Sequence, residues 1–193
     1  MAKLLKLEKK YDRKWISLFS IFFKNKKGKE KKWEFVSRKE DPINNTKADA
    51  VMFVPFIKVG DTYKLVITKE FRAPIWDYEW GFPAGLMERN ESIERTVERE
   101  LKEETGLDLI KINKITNPIY SSAGLTDESV VMVFIEVEGT IDYSKQEDSE
   151  DIEVFLMGIK EISRLVNSNR KIGAKSWGVL WHFLQINKIE VIK

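Results

Sequence analysis

The chain has no cysteine among its 193 residues. Disulfides, thiolate nucleophiles and zinc–thiolate centres are therefore excluded, and the lack of disulfides fits a reducing compartment. Histidine is almost as scarce: His182 is the only one. It falls in WHFLQ on an expected helix, and we expect a structural role for it. A charge excess is also missing, since 33 basic residues meet 31 acidic ones for a net +2. That balance gives no global attraction to nucleic acid. Long apolar runs are absent too. The longest, residues 16–23, includes Ser17 and Ser20 and is too short to span a bilayer. The opening MAKLLKLEKKYDRK has no apolar stretch of signal-peptide type. We expect a soluble, cytoplasmic protein with neither membrane nor nucleic acid as partner.

What is present suits a folded domain. The chain is 42% hydrophobic and 11% aromatic, enough for a substantial core. Its length predicts one domain with a small N-terminal extension: residues 1–45 as the extension and 46–193 as the main domain. Residues 14–38 read as a β-hairpin, with β-branched and aromatic residues at 15–23 and 33–36 flanking KNKKGKEKK. That basic run reads as a solvated hairpin tip. KEDPINNTKA at 39–48 marks a boundary. Strands are expected at 49–57, 63–71, 77–83, within 107–120, at 130–137 and at 152–157, and helices at 160–167 and 174–187. Residues 140–151 read as an acidic loop.

One stretch organises the rest: GLMERNESIERTVERELKEETGL at 85–107. Ile93, Val97 and Leu101 recur every fourth residue, an apolar stripe of a helix. Asn90 or Ser92 can cap its start, and Gly106 stands where a helix ends in a left-handed residue. Glu100, Glu103 and Glu104 share another face at i, i+3 and i+4. Like charges so placed repel by roughly 0.2–0.5 kcal/mol per pair on an exposed helix. Arg99 offsets part of this through Glu103 at i+4. Such a cluster is met on solvated helix faces. It equally suits a hard divalent cation such as Mg²⁺, which takes carboxylate oxygens and works on phosphates.

The wider spacing goes further. Gly85, Glu91, Arg99-Glu100-Leu101, Glu103-Glu104 and Gly106-Leu107 place nine residues at fixed offsets, and this pattern resembles the Nudix box. The resemblance implies a hydrolase acting on a nucleoside diphosphate linked to another moiety, with Mg²⁺ or Mn²⁺. It implies an α/β/α sandwich around a mixed sheet, which the order of expected elements fits, with the N-terminal hairpin as an addition. It assigns metal binding to Glu100, Glu103, Glu104 and the carbonyl of Ala84, orientation of the glutamates to Arg99, and a mainly structural role to Glu91.

Three further segments resemble the ADP-ribose pyrophosphatase branch. Glu70-Phe71-Arg72 is similar to a stretch upstream of the box; an isolated arginine there is a surface ion-pair partner, and the resemblance implies instead that Arg72 binds the diphosphate. SSAGLTDE at 121–128 is similar to a loop that carries a proline in that branch; here the position is Ala123. Glu128 in this loop is a further candidate for the site. The acidic residues 147–151 resemble the loop supplying a late metal ligand or general base, with Glu150 first in order and Asp148 or Glu147 as alternatives. Trp33 or Trp76 is a candidate for stacking on the base, against the commoner role of such a residue in core or interface packing. The branch also implies a homodimer built through the N-terminal strands. The expected activity is therefore cleavage of ADP-ribose or a related nucleotide sugar to a nucleoside monophosphate and a sugar phosphate. The alternatives are a nucleoside triphosphate pyrophosphohydrolase, including for oxidised nucleotides, and a non-catalytic nucleotide-sugar-binding domain.

Overall fold

The computed structural model describes residues 1–146 and 151–190. In chain order the strands β1 (Lys3–Tyr11), β2 (Ser17–Lys24), β3 (Glu30–Ser37), β4 (Ala50–Val59), β5 (Thr62–Arg72), β6 (Asp77–Gly81) and β7 (Ala84–Leu86) precede the helix α1 (Ile93–Thr105). They are followed by β8 (Asp108–Ile115), β9 (Ile119–Tyr120), β10 (Ser129–Glu138), β11 (Ile152–Met157), α2 (Ile159–Val166), β12 (Lys171–Ile172) and α3 (Ala174–Glu190). The chain forms two compact units, one of Met1–Asp49 with Pro118–Val130, the other of Ala50–Asn117 with Val131–Lys193.

In the first unit β1, β2 and β3 form an antiparallel sheet in that order. The expected hairpin is β2–β3, paired from Ser17 with Ser37 to Lys24 with Glu30. Its tip is an ordered turn: the Asn25 side chain accepts hydrogen bonds from the Lys27 and Lys29 N–H groups, at 2.9 and 3.1 Å. Gly28, at φ +74°, takes the left-handed position. Phe19 is buried and stacks on Phe35 at 5.7 Å. The strand β1 was not among the expected elements. The 121–128 loop is secured to this sheet. The Val36 N–H donates to the Leu125 carbonyl at 3.0 Å. Lys39 lies buried between Asp49 at 3.2 Å and Asp127 at 3.5 Å, and Asp49 also accepts the Ser129 N–H at 3.0 Å.

In the second unit the sheet runs β12-β6-β5-β4-β10-β8, with β11 paired to β5 and β7 to β4. β12 is parallel to β6, whereas β5 is antiparallel to β4, β6 and β11. The sheet is therefore mixed, as expected. β4 and β10 read as near-continuous apolar runs because they are buried on both faces. Val51, Phe53, Val54, Leu65, Val66, Ile67, Val133 and Ile135 have no exposed surface. α1 packs on β4, β7 and β8, while α2 and α3 pack on one another and on β11 and β6. This α/β sandwich puts the acidic helix directly behind the strand that precedes it.

Candidate active site

The site is built on α1. Ser92 caps the helix, its hydroxyl accepting the Arg95 N–H at 3.2 Å. Asn90, the other candidate cap, takes a left-handed turn position at φ 68°. Gly106 ends the helix at φ 75°, and its N–H donates to the Lys102 carbonyl. The buried face differs from the sequence expectation. It comprises Thr96, Val97, Glu100, Leu101, Glu104 and Thr105, with Ile93 only half-buried. Two of the three clustered acids therefore lie on the packed side of the helix beside the apolar stripe. Glu100 is 9% exposed and Glu104 4%. Glu103 remains nearer to solvent.

Gly85 explains how Glu100 fits. A Cβ at Gly85 would lie 1.8 Å from Glu100 Cδ and 2.0 Å from Oε1. The carboxyl group thus rests against bare backbone in a space that any side chain would fill. β7 holds this backbone in place: Ala84 pairs with Met52 and Gly85 with Val51. Just before it, the Pro83 carbonyl accepts the Phe53 N–H at 3.0 Å. Ser176 at the start of α3 braces the same segment by accepting the Phe82 N–H at 3.3 Å.

Arg99 ties these parts together. Its Nε and Nη2 donate to the two oxygens of Glu91 at 3.1 and 3.0 Å. Nη1 donates to Glu100 at 2.8 Å and to Glu103 at 3.1 Å, the latter being the expected i, i+4 pair. Nη2 also reaches the Leu86 carbonyl at 3.2 Å. This fork geometry is specific to a guanidinium. Glu91 additionally accepts from Thr96 Oγ1 at 2.9 Å and from the Glu88 N–H at 3.1 Å. The Arg99 guanidinium, against the opposing effect of burial, holds the Glu91 carboxyl down at about 2. Reciprocally, Glu91 first and then Glu100 push the Arg99 pKa upward, so it is a fixed cation.

The donor chemistry fits a hard divalent ion. Glu100, Glu103 and Glu104 offer only carboxylate oxygens, and the Gly85 recess keeps Glu100 packed against the backbone. Among the described residues, no three acidic or imidazole side chains already converge as a metal cage; the Arg99 guanidinium bridges Glu100 and Glu103.

In the second unit, Arg72 ends β5 and pairs with Glu70 and, at 3.6 Å, with Glu79. Trp76 is 81% exposed in a left-handed conformation at φ 49°, with its ring edge-on to Phe71 at 5.6 Å. In the first unit, the Trp33 indole N–H donates to the Gly124 carbonyl at 3.2 Å, with the ring half-exposed. Glu128 accepts from Ser121 Oγ at 2.8 Å and pairs with Arg38 at 3.3 Å. Glu150, Asp148 and Glu147 lie outside the described residues. Sequence reasoning missed Gln146, whose side chain reaches the Glu104 carbonyl at 3.1 Å; no local pattern signals a contact spanning 42 residues.

The model of the NUDIX domain matches residues 46–176. An ADP-ribose pyrophosphatase of Saccharomyces cerevisiae is 27% identical over 189 residues, covering 93% of this chain and 81% of that one. An ADP-ribose pyrophosphatase of Bacillus subtilis is 37% identical over 125 residues, 64% of this chain and 66% of its own. A crystal structure of an ADP compounds hydrolase shares the fold, with a TM-score of 0.70 at 19% identity over 98% of this chain and 94% of the other.

Proposed function

This chain belongs to the Nudix family, and on that premise we propose that it hydrolyses the diphosphate linkage of ADP-ribose or a related nucleotide sugar, releasing a nucleoside monophosphate and a sugar phosphate. The observation that carries this reading is the Arg99-centred array, in which one guanidinium holds Glu91, Glu100 and Glu103 beside the Gly85 recess. The relatives in yeast and Bacillus subtilis, both named ADP-ribose pyrophosphatases, support the substrate class.

Glu100, Glu103, Glu104 and the Ala84 carbonyl would hold Mg²⁺, with Mn²⁺ as a substitute. A divalent ion there supplies positive charge against the diphosphate and lowers the pKa of water. Arg99 keeps two of the carboxylates in register before substrate arrives, which spares reorganisation during the reaction. Arg72 binds phosphate oxygens through its fork of donors. Glu150 is assigned as the base that takes the proton of the attacking water. Trp33 or Trp76 serves the base as a stacking surface, and Glu128 is a polar contact for substrate. Residues 1–45 form a dimerising extension to a hydrolase domain at 46–193, and the protein works in the cytoplasm as a homodimer.

A product assay tests the activity: ADP-ribose, ADP-glucose, GDP-mannose, NADH and 8-oxo-dGTP, each with Mg²⁺ and with chelator. Monophosphate plus sugar phosphate, lost on chelation, is the expected result. Pyrophosphate from the triphosphate alone would replace this reading, and binding without turnover of any of them would make the domain a sensor.

A further inference from the structure

The C-terminal turn of α1 ends against a short segment, residues 142–146. The last four carbonyls of an α-helix have no partner within it. The Thr105 carbonyl is taken by the Asp142 N–H at 3.1 Å. The Glu104 carbonyl is taken by the Gln146 side-chain amide at 3.1 Å. The same Nε2 donates to the carbonyl of Ile152, the first residue of β11, at 3.0 Å. The segment is itself secured: the Gln146 N–H donates to the Tyr143 carbonyl at 3.2 Å, and the Tyr143 hydroxyl accepts the Val154 N–H at 3.2 Å. Its close approach needs Gly106, because a Cβ there would lie 2.6 Å from the Asp142 Cβ.

We propose that Gln146 is a positioning residue for the carboxylate site, holding the helical turn that carries Glu103 and Glu104 against the start of β11. The inference rests on the reading of those glutamates as metal ligands. A primary amide suits the task, since one nitrogen carries two donors and both neighbours are carbonyl acceptors. Glutamate at this position would set a carboxylate against two carbonyl oxygens, and leucine would leave both without their donor. Glu104 is 4% exposed, so a turn that relaxes moves a packed carboxylate that has little room to compensate. Groups standing behind metal ligands change metal affinity by about 10- to 100-fold when removed.

The experiment uses the full chain with Gln146→Leu and Gln146→Glu, the second close in size to the native residue. Mn²⁺ alone is titrated calorimetrically into each, with thermal unfolding in chelator to verify folding. Both variants should bind Mn²⁺ about tenfold more weakly than wild type. In turnover assays the Mg²⁺ concentration for half-activation should rise by a similar factor, while KM for ADP-ribose at saturating Mg²⁺ holds. A merely structural role would lower the active fraction, and so kcat, and leave both metal constants unchanged. Wild-type Mn²⁺ affinity in the two variants overturns the proposal. Absence of Mn²⁺ binding by the wild type, with Glu104→Gln indistinguishable from it, overturns the metal reading and the role of Gln146 together.

Discussion

The Cα of Gly85 and the carboxyl group of Glu100 lie so close that no side chain can stand between them: a Cβ on residue 85 would come within 1.8 Å of Glu100 Cδ. This glycine is needed for space. Among the described residues, the left-handed glycines are Gly28, Gly60, Gly106 and Gly139, and Gly85 is not one of them. Its hydrogen atom gives Glu100 a seat against β7.

Gly85→Ala should therefore displace the Glu100 carboxylate. A shift of about 1 Å in a reacting group costs on the order of 100-fold in rate, and overpacking costs about 1–3 kcal/mol in stability. Steady-state turnover of ADP-ribose at saturating Mg²⁺ and urea unfolding measure the two effects. Wild-type turnover would mean that the position of Glu100 does not matter to the reaction.

Arg99→Lys keeps the charge and loses the fork. Arg99 reaches Glu91, Glu100, Glu103 and the Leu86 carbonyl at once, which a single ammonium on a flexible stem cannot do. The expected outcome is a loss of about 10- to 100-fold in metal affinity, read as a rise in the Mg²⁺ concentration for half-maximal activity. An unchanged Mg²⁺ dependence would make Arg99 a counter-charge only.

Glu91 carries a pH signature. Its carboxyl sits at about 2 in the folded chain, held down first by Arg99, against about 4.3 in an unfolded chain. Because the folded value is depressed, its contribution to stability is complete above about pH 4.3 and fades as the pH falls toward 2. Wild type should unfold at higher temperature than Glu91→Gln at pH 7, with the gap narrowing across that window. A gap that stays constant from pH 6 to pH 2 would contradict the ionic account.

The parts that could be read in the sequence depend on short-range spacing. Glu100, Glu103 and Glu104 at helical intervals, and Gly106 at the helix end, locate α1 from spacing alone. β4 and β10 were legible because strands buried on both faces are apolar throughout. β1 was not: KLLKLEKKY is largely exposed and lysine-rich, and its order comes from pairing with β2. The burial of Glu100 and Glu104 was also hidden, since periodicity separates apolar from charged stripes and has no way to show which strand covers the charged one. The contacts of Gln146 with Glu104 and of Trp33 with Gly124 join residues far apart in sequence, where no spacing rule operates.

Lys39 gives the N-terminal strands a meaning beyond their own sheet. Its ammonium is the counter-charge to both Asp49 and Asp127, each largely screened from water. A chain cut after residue 45 would keep the two carboxylates and lose the cation that pairs with both. The N-terminal strands thus share one ionic set with residues 118–130 of the same unit, and a boundary at residue 45 cuts through it. Any redesign of this unit has to keep residues 39, 49 and 127 together, or replace all three.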